Sequence, residues 1–144
     1  MSGDDHFRKL ERMYASGPIN EFYRPVIRVE RGRAEVVVCA RRDFFHAAGA
    51  VHGSVYFKSL DDAAFFAANS VVEDVFVLTA SFAVRLLAPV SEGELRAVGR
   101  VVEEGRRKIR AESELFDARG EVLARGEGTF VKSRIPLTPE IGYA

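Results

Sequence analysis

Apolar residues recur along this chain in two rhythms, and the switches between them mark out its elements. Near the start Phe7, Leu10 and Tyr14 fall at helical spacing, with Asp4 or Asp5 placed to cap a short helix and Ser16-Gly17-Pro18 to stop it. Such a helix suits the cover of a sheet edge. Alternation takes over at about residues 26–29 and 34–40, and the charged turn Glu30-Arg31-Gly32-Arg33 between them predicts a hairpin. From residue 52 to 69 there is no proline, and no glycine after Gly53, while Ala, Phe, Leu and Val dominate. One long amphipathic or buried helix is expected there. Alternation returns over about 76–87, 94–102, 108–116 and 122–131. Pro89, Ser91 and Gly93, then Glu103-Glu104-Gly105, then Asp117-Ala118-Arg119-Gly120 supply the breaks, and Pro136 and Pro139 mark a loose tail.

Helix, two strands, long helix and four strands joined by short turns describe an α+β protein with an antiparallel meander. A single long, largely apolar helix among such strands is buried only if the sheet curls around it. The expectation is therefore a hotdog fold: a curved antiparallel sheet of about five to six strands wrapped around one central helix, with a short N-terminal helix outside. At 144 residues with 47% hydrophobic content, residues 1–144 make one domain with a full core. A curled sheet leaves a free edge strand, so a homodimer or a dimer of dimers is expected.

Composition narrows the function classes. Basic and acidic residues balance at 21 each, which gives no electrostatic case for nucleic acid or an anionic membrane. Three histidines and one cysteine form no cluster at metal-ligand spacing, so no metal and no resident cofactor are expected. Cys39, in the run VVVCA, reads as a buried strand residue. The opening MSGDDHFRKL lacks the basic and apolar regions of a signal peptide, and no apolar run reaches spanning length, which predicts a cytoplasmic protein.

The candidate chemistry lies in the long helix. At 100° per residue Phe57, Asp61, Ala64, Phe65 and Ala68 share a face, which puts an acid in an apolar stripe. Asp62 is a third of a turn away, one turn past Lys58, where an ion pair and solvent can hold it. Asp61 has no such partner. A carboxylate on a packed face is retained either for chemistry and binding or because it caps a neighbouring backbone group. Gly53 lies at the head of the same helix, where amides are unpaired and the dipole favours negative charge, so its N–H is a ready oxyanion donor. Eight residues separate Gly53 from Asp61, roughly 12 Å along one helix. If both act on one carbonyl, they belong to different subunits.

The segment His46-x-x-Gly49-x-x-His52-Gly53-x7-Asp61, continued by Ala67-Ala68-Asn69-Ser70, resembles a family signature. It is similar to the Asn-x-x-Gly-x-x-His-Gly-Gly…Asp pattern of hotdog-fold acyl-CoA thioesterases of the phenylacetate-degradation (PaaI) type. Thr79-Ala80-Ser81-Phe82 up to Ala88-Pro89, and the turn Glu104-Gly105-Arg106-Arg107, extend the likeness. The resemblance implies a hydrolase that splits an acyl-CoA thioester into free acid and coenzyme A, the latter as part of the substrate. It implies Asp61 as general base or nucleophile, Gly53 as backbone donor to the thioester carbonyl and Thr79 as a hydroxyl that orients water. His52 and Ser54 then shape the loop around the substrate, and Arg106, Arg107 and Lys108 meet the phosphates of coenzyme A.

Two positions depart from the pattern, with His46 for the usual Asn and Ser54 for the second Gly. His46 is able to donate to the carbonyl or the water, or to act as a base near neutral pH. Ser54 is equally suited to capping the helix. Two alternatives stay open: a β-hydroxyacyl thioester dehydratase or hydratase using His46 with Asp61, and a non-catalytic acyl-CoA-binding module.

Overall fold

The computed structural model describes residues 3–144. The chain runs α1 (Gly3–Ser16), α2 (Ile19–Tyr23), β1 (Val26–Glu30), β2 (Arg33–Cys39), a 3-10 turn (Arg42–Phe44), α3 (Gly53–Ser70), β3 (Val75–Leu86), β4 (Glu94–Glu104), β5 (Lys108–Phe116) and β6 (Val122–Pro136). A second 3-10 turn, Pro139–Ile141, follows β6. All pairings are antiparallel in one six-stranded sheet of order β1-β2-β4-β5-β6-β3. The sheet curls around α3, which touches every strand. This is the hotdog fold.

Small residues set how closely helix and sheet approach. A Cβ on Gly99 of β4 would lie 2.3 Å from the Ala63 carbonyl carbon and 2.6 Å from the Ala64 nitrogen, so the α3 backbone rests directly on the strand. Ala63, Ala64, Ala67 and Ala68 are fully buried along that line. Ser113 of β5 fixes the rotation of the helix by donating to the Leu60 carbonyl at 2.9 Å.

Asn69 locks the far end of α3. Its amide donates to the Val72 and Val75 carbonyls, each at 3.1 Å, and its Oδ1 accepts the Val77 N–H at 3.0 Å. Its own carbonyl lies 3.0 Å from Nε2 of the buried His6, whose Nδ1 lies 2.7 Å from the Tyr143 hydroxyl. That clasp corrects the expectation of a loose tail, because buried polar groups must pair and Tyr143 is drawn in to do so.

Three further expectations change. The meander holds for β4, β5 and β6, but β3 pairs with β6 and not with its sequence neighbour β4. The seven residues of the 87–93 link are too long for a hairpin turn, and β6 is long enough to serve β5 and β3 together. Cys39 is exposed, because β2 alternates with Ala34, Val36 and Val38 inward and Cys39 falls in the outward phase. Asp4 and Asp5 lie within the first turn of α1 and not before it, where they still face the positive end of the helix dipole. α1 does cover the β1 edge: Arg8 donates to the Val29 carbonyl at 2.7 Å and Glu11 accepts the Val29 N–H at 2.8 Å.

Candidate active site

The loop before α3 turns on Gly49, whose φ of +87° suits a residue without a side chain. His46 closes that turn. Its N–H donates to the Ala50 carbonyl at 2.9 Å, its carbonyl accepts from Gly49 at 3.0 Å and its Nδ1 accepts from Ala48 N–H at 3.1 Å. His52 is the N-cap of α3, accepting the Ser54 N–H on Nδ1 at 3.0 Å, with the Ser54 hydroxyl 2.9 Å from the same atom. Both histidines and Ser54 are exposed and hold the local backbone. Gly53, the first residue of α3, has an N–H with no hydrogen-bond partner among the described residues.

Asp61 lies two turns further on. Thr79 of β3 donates to its Oδ1 at 3.0 Å. Burial pushes the carboxyl up to about 6; the Thr79 bond pulls it back, Asp62 raises it again and Lys58 lowers it. A carboxylate held near neutrality, with a hydroxyl steering one oxygen, is equipped to take a proton from water or to attack a carbonyl.

A defect in β3 makes this arrangement possible. Thr79 pairs with Phe130 and Ser81 with Thr129, so Ala80 is an extra residue, a β-bulge. Before it Val77 and Thr79 point toward α3. After it Phe82 packs on Phe57 of α3, and Leu86 approaches Gly53. Thr79 and Leu86 are seven residues apart and would face opposite sides of a regular strand. The bulge turns both toward the helix, so Asp61–Thr79 and Gly53–Leu86 form the two ends of one α3–β3 seam.

Beside Asp61 opens a groove of about 1040 Å³. Phe57, Phe65 and Phe66 of α3 form one side, and Phe76 and Leu78 of β3 another. Tyr56 faces elsewhere, its hydroxyl donating to the Ala88 carbonyl at 2.7 Å. The remaining wall, from Met13 to Tyr23 and again at Ile135 and Ile141, carries no motif in the sequence. Asp62 also differs from its expected setting. Its ion pair with Lys58 is present at 2.6 Å, but Tyr14 donates to the same oxygen at 2.6 Å and the two charged side chains are only 17% and 15% exposed. Burial foremost, then Asp62, raises the Tyr14 phenol well above its ordinary range, so it stays a donor.

The structure thus brings Asp61 and Thr79 together and places Gly53, with His52 and Ser54 beside it, at the opposite end of the seam, while His46 bonds within its own turn. Arg106, Arg107 and Lys108 lie exposed at the β4–β5 turn. Lys108 pairs with Val131, which pairs with Leu78, so this turn is two strands from the Thr79 end of β3, roughly 10 Å at the usual strand spacing.

A curled sheet around one helix defines a hotdog protein, and a partly buried helix carboxylate beside an apolar groove is its candidate site. The chain belongs to the Thioesterase superfamily, whose family pattern matches residues 48–124, from the His46–His52 loop into β6. Among curated relatives, SSO2140 of Saccharolobus solfataricus, a candidate esterase by name, is 29% identical over 105 residues, 73% of this chain and 75% of that protein. Among solved structures, a candidate thioesterase of Ralstonia eutropha, described as phenylacetic acid degradation-related, has a TM-score of 0.77 at 25% identity, covering 88% of this chain and 98% of that one. The E. coli PaaI protein from the phenylacetic acid degradation operon has a TM-score of 0.86 over 94% of this chain and 99% of its own; at 17% identity it shows the fold alone. Family and relatives together point to a hydrolase acting on thioesters. Among the described residues no helix is long and apolar enough to cross a membrane.

Proposed function

We propose that this protein hydrolyses acyl-CoA thioesters in a site shared by two subunits. The observation that carries the reading is the half-desolvated Asp61 carboxyl, hydrogen-bonded by Thr79 and opening on an apolar groove. The acyl group occupies the groove, the Gly53 N–H of the partner subunit polarises the carbonyl, and Asp61 activates water or attacks directly. Hydrolysis adds water across the thioester, giving the carboxylic acid and the thiol of coenzyme A. Arg106, Arg107 and Lys108 meet its phosphates.

The shared site is supported by β3, a twelve-residue edge strand whose outer side no described strand covers. Two copies paired antiparallel about a two-fold axis between Phe82 and Ala83 set Thr79 of one opposite Leu86 of the other. Leu86 touches Gly53, so the oxyanion donor of one subunit comes to the carboxylate of the other. Exposed Phe57, Leu78, Leu86 and Leu87 along this seam are suited to burial in such an interface.

Thiol release from a series of short, medium, long-chain and aryl acyl-CoAs tests the reading. Wild type turns over at least one class, and Asp61→Asn, folded and of unchanged assembly state, loses at least about 10²-fold in kcat/KM. Wild-type rates in that variant contradict the assignment.

A further inference from the structure

One wall of the groove lies outside the residues the family pattern matches. It is formed by the end of α1 and by α2, and a polar cluster sunk among aromatic rings ties it to α3. Lys58 Nζ donates to Asp62 Oδ2 at 2.6 Å, to Asn20 Oδ1 at 2.8 Å and to the Tyr14 hydroxyl at 3.4 Å. It stands 4.7 Å from the Tyr23 ring centroid and 5.1 Å from that of Tyr14. Asn20 closes the cluster by donating to the Tyr14 carbonyl at 2.8 Å.

A lysine lining an apolar groove either reads a polar group on the ligand or holds the protein to itself. The partners already in place decide between them. The ammonium donates to Asp62 and to Asn20, and the Tyr14 hydroxyl, itself bonded to the same Asp62 oxygen, stands beside the first of these bonds at 3.4 Å. Turning the ammonium toward a substrate would break its ion pair with Asp62, the charge that balances it, and leave the Asn20 Oδ1 without a donor. The groove is left with apolar surface, from Ile19 and Tyr23 on this wall and from Phe57 and Phe65 opposite.

We propose that Tyr14, Asn20, Lys58 and Asp62 form a latch that fixes α1 and α2 over α3 as a wall of the acyl groove. This wall sets acyl selectivity and favours an acyl group that is apolar to its end. The proposal rests on the thioesterase reading above. Asp62 adjoins Asp61, so loosening the latch also alters the charge beside the reacting carboxylate. A ratio between two substrates cancels that shared effect and isolates the wall.

The test measures kcat and KM for thiol release from acetyl-CoA, decanoyl-CoA and the decanoyl-CoA analogue carrying a terminal carboxylate. Wild type, Tyr14→Phe, Lys58→Met and Ile19→Trp are compared, with thermal unfolding recorded for each. Wild type prefers decanoyl-CoA to its carboxylate analogue. Tyr14→Phe and Lys58→Met lower the decanoyl-to-acetyl ratio of kcat/KM by about tenfold, mainly through the KM for decanoyl-CoA. Ile19 is exposed at the groove, so Ile19→Trp keeps the fold while narrowing the groove, and it lowers the same ratio. Should Lys58→Met fail to fold, the other two variants decide. An unchanged ratio in the folded variants, or a wild-type preference for the carboxylate analogue, overturns the latch alone. Absence of thiol release by wild type from all three substrates and the wider acyl series overturns the thioesterase reading, and the latch's role in selectivity with it.

Discussion

Asp61 is held between opposing influences, and its titration is where they are measured. Burial lifts the carboxyl to about 6, against the Thr79 hydroxyl that favours its ionised form. A base works ionised, so kcat/KM is expected to fall as pH drops through about 6 and to level off above it. Thr79→Val removes the donor and moves this acid limb to higher pH; a limb that stays in place contradicts the role given to Thr79. The same environment makes a stability prediction of unusual sign for a carboxylate. The folded-state value lies above the ordinary 3.8, so Asp61 contributes most favourably below about 4 and loses that contribution as pH rises through about 6. Asp61→Asn is therefore expected to be more stable than wild type at pH 8, by about 1–2 kcal/mol once partial exposure is discounted. Thermal unfolding at pH 8 and pH 4 checks this, with the gap closing at the lower pH. Helical phase set Asp61 apart from Asp62 in the sequence by giving Asp62 to Lys58 and solvent; the ion pair is there, but solvent is largely excluded from it. The setting of Asp62 was not legible, because its partner Tyr14 lies 48 positions away, and Asn20, which joins the cluster through Lys58, lies 38 positions from that lysine, so no local pattern announces them.

Among the elements, the seat of α3 on β4 is the contact with least slack. Gly99→Ala drives a Cβ into the backbone of Ala63, and a helix pinned by Ser113 and Asn69 cannot slide to make room. A loss of about 1–3 kcal/mol or more is expected in urea unfolding, and a neutral result contradicts the close helix–strand seat. Strand and helix positions were largely readable from period alone, since each strand has one face on α3 and the helix is apolar nearly all round. What failed was the part that depends on distant partners. Turn logic pairs β3 with β4, whereas the long link across Pro89 lets β3 close on β6 instead. The tail looked loose because Pro136 and Pro139 end regular structure, yet Tyr143 returns to His6 from 137 positions away. The bulge at Ala80, which aims Thr79 and Leu86 at the same helix, leaves no composition signal at all.

In the proposed reading the whole molecule is organised around a seam that a second copy completes. Asp61 and Thr79 stand at one end, the Gly53 amide, unpaired among the described residues, at the other, and the edge of β3 that no described strand covers runs between them. Edge pairing would convert two incomplete seams into two complete sites, so the account turns on whether catalysis crosses the interface. Mixed assembly of two inactive variants tests this most directly. Asp61→Asn removes the carboxylate. Gly53→Pro removes the N–H with the backbone kept: proline is favoured at the first helical position, His52 already has the extended backbone, φ −65° and ψ 144°, that a following proline requires, and the added Cβ, 3.2 Å from Leu86 Cδ1, asks only that this exposed side chain shift. Each variant alone is expected to release almost no thiol from an acyl-CoA that wild type hydrolyses. Unfolded together and refolded as an equal mixture, they are predicted to recover roughly a quarter of wild-type activity, because a hybrid dimer carries one intact site and one doubly damaged one. A mixture as inactive as its two components would contradict a site built from Asp61 of one subunit and Gly53 of the other.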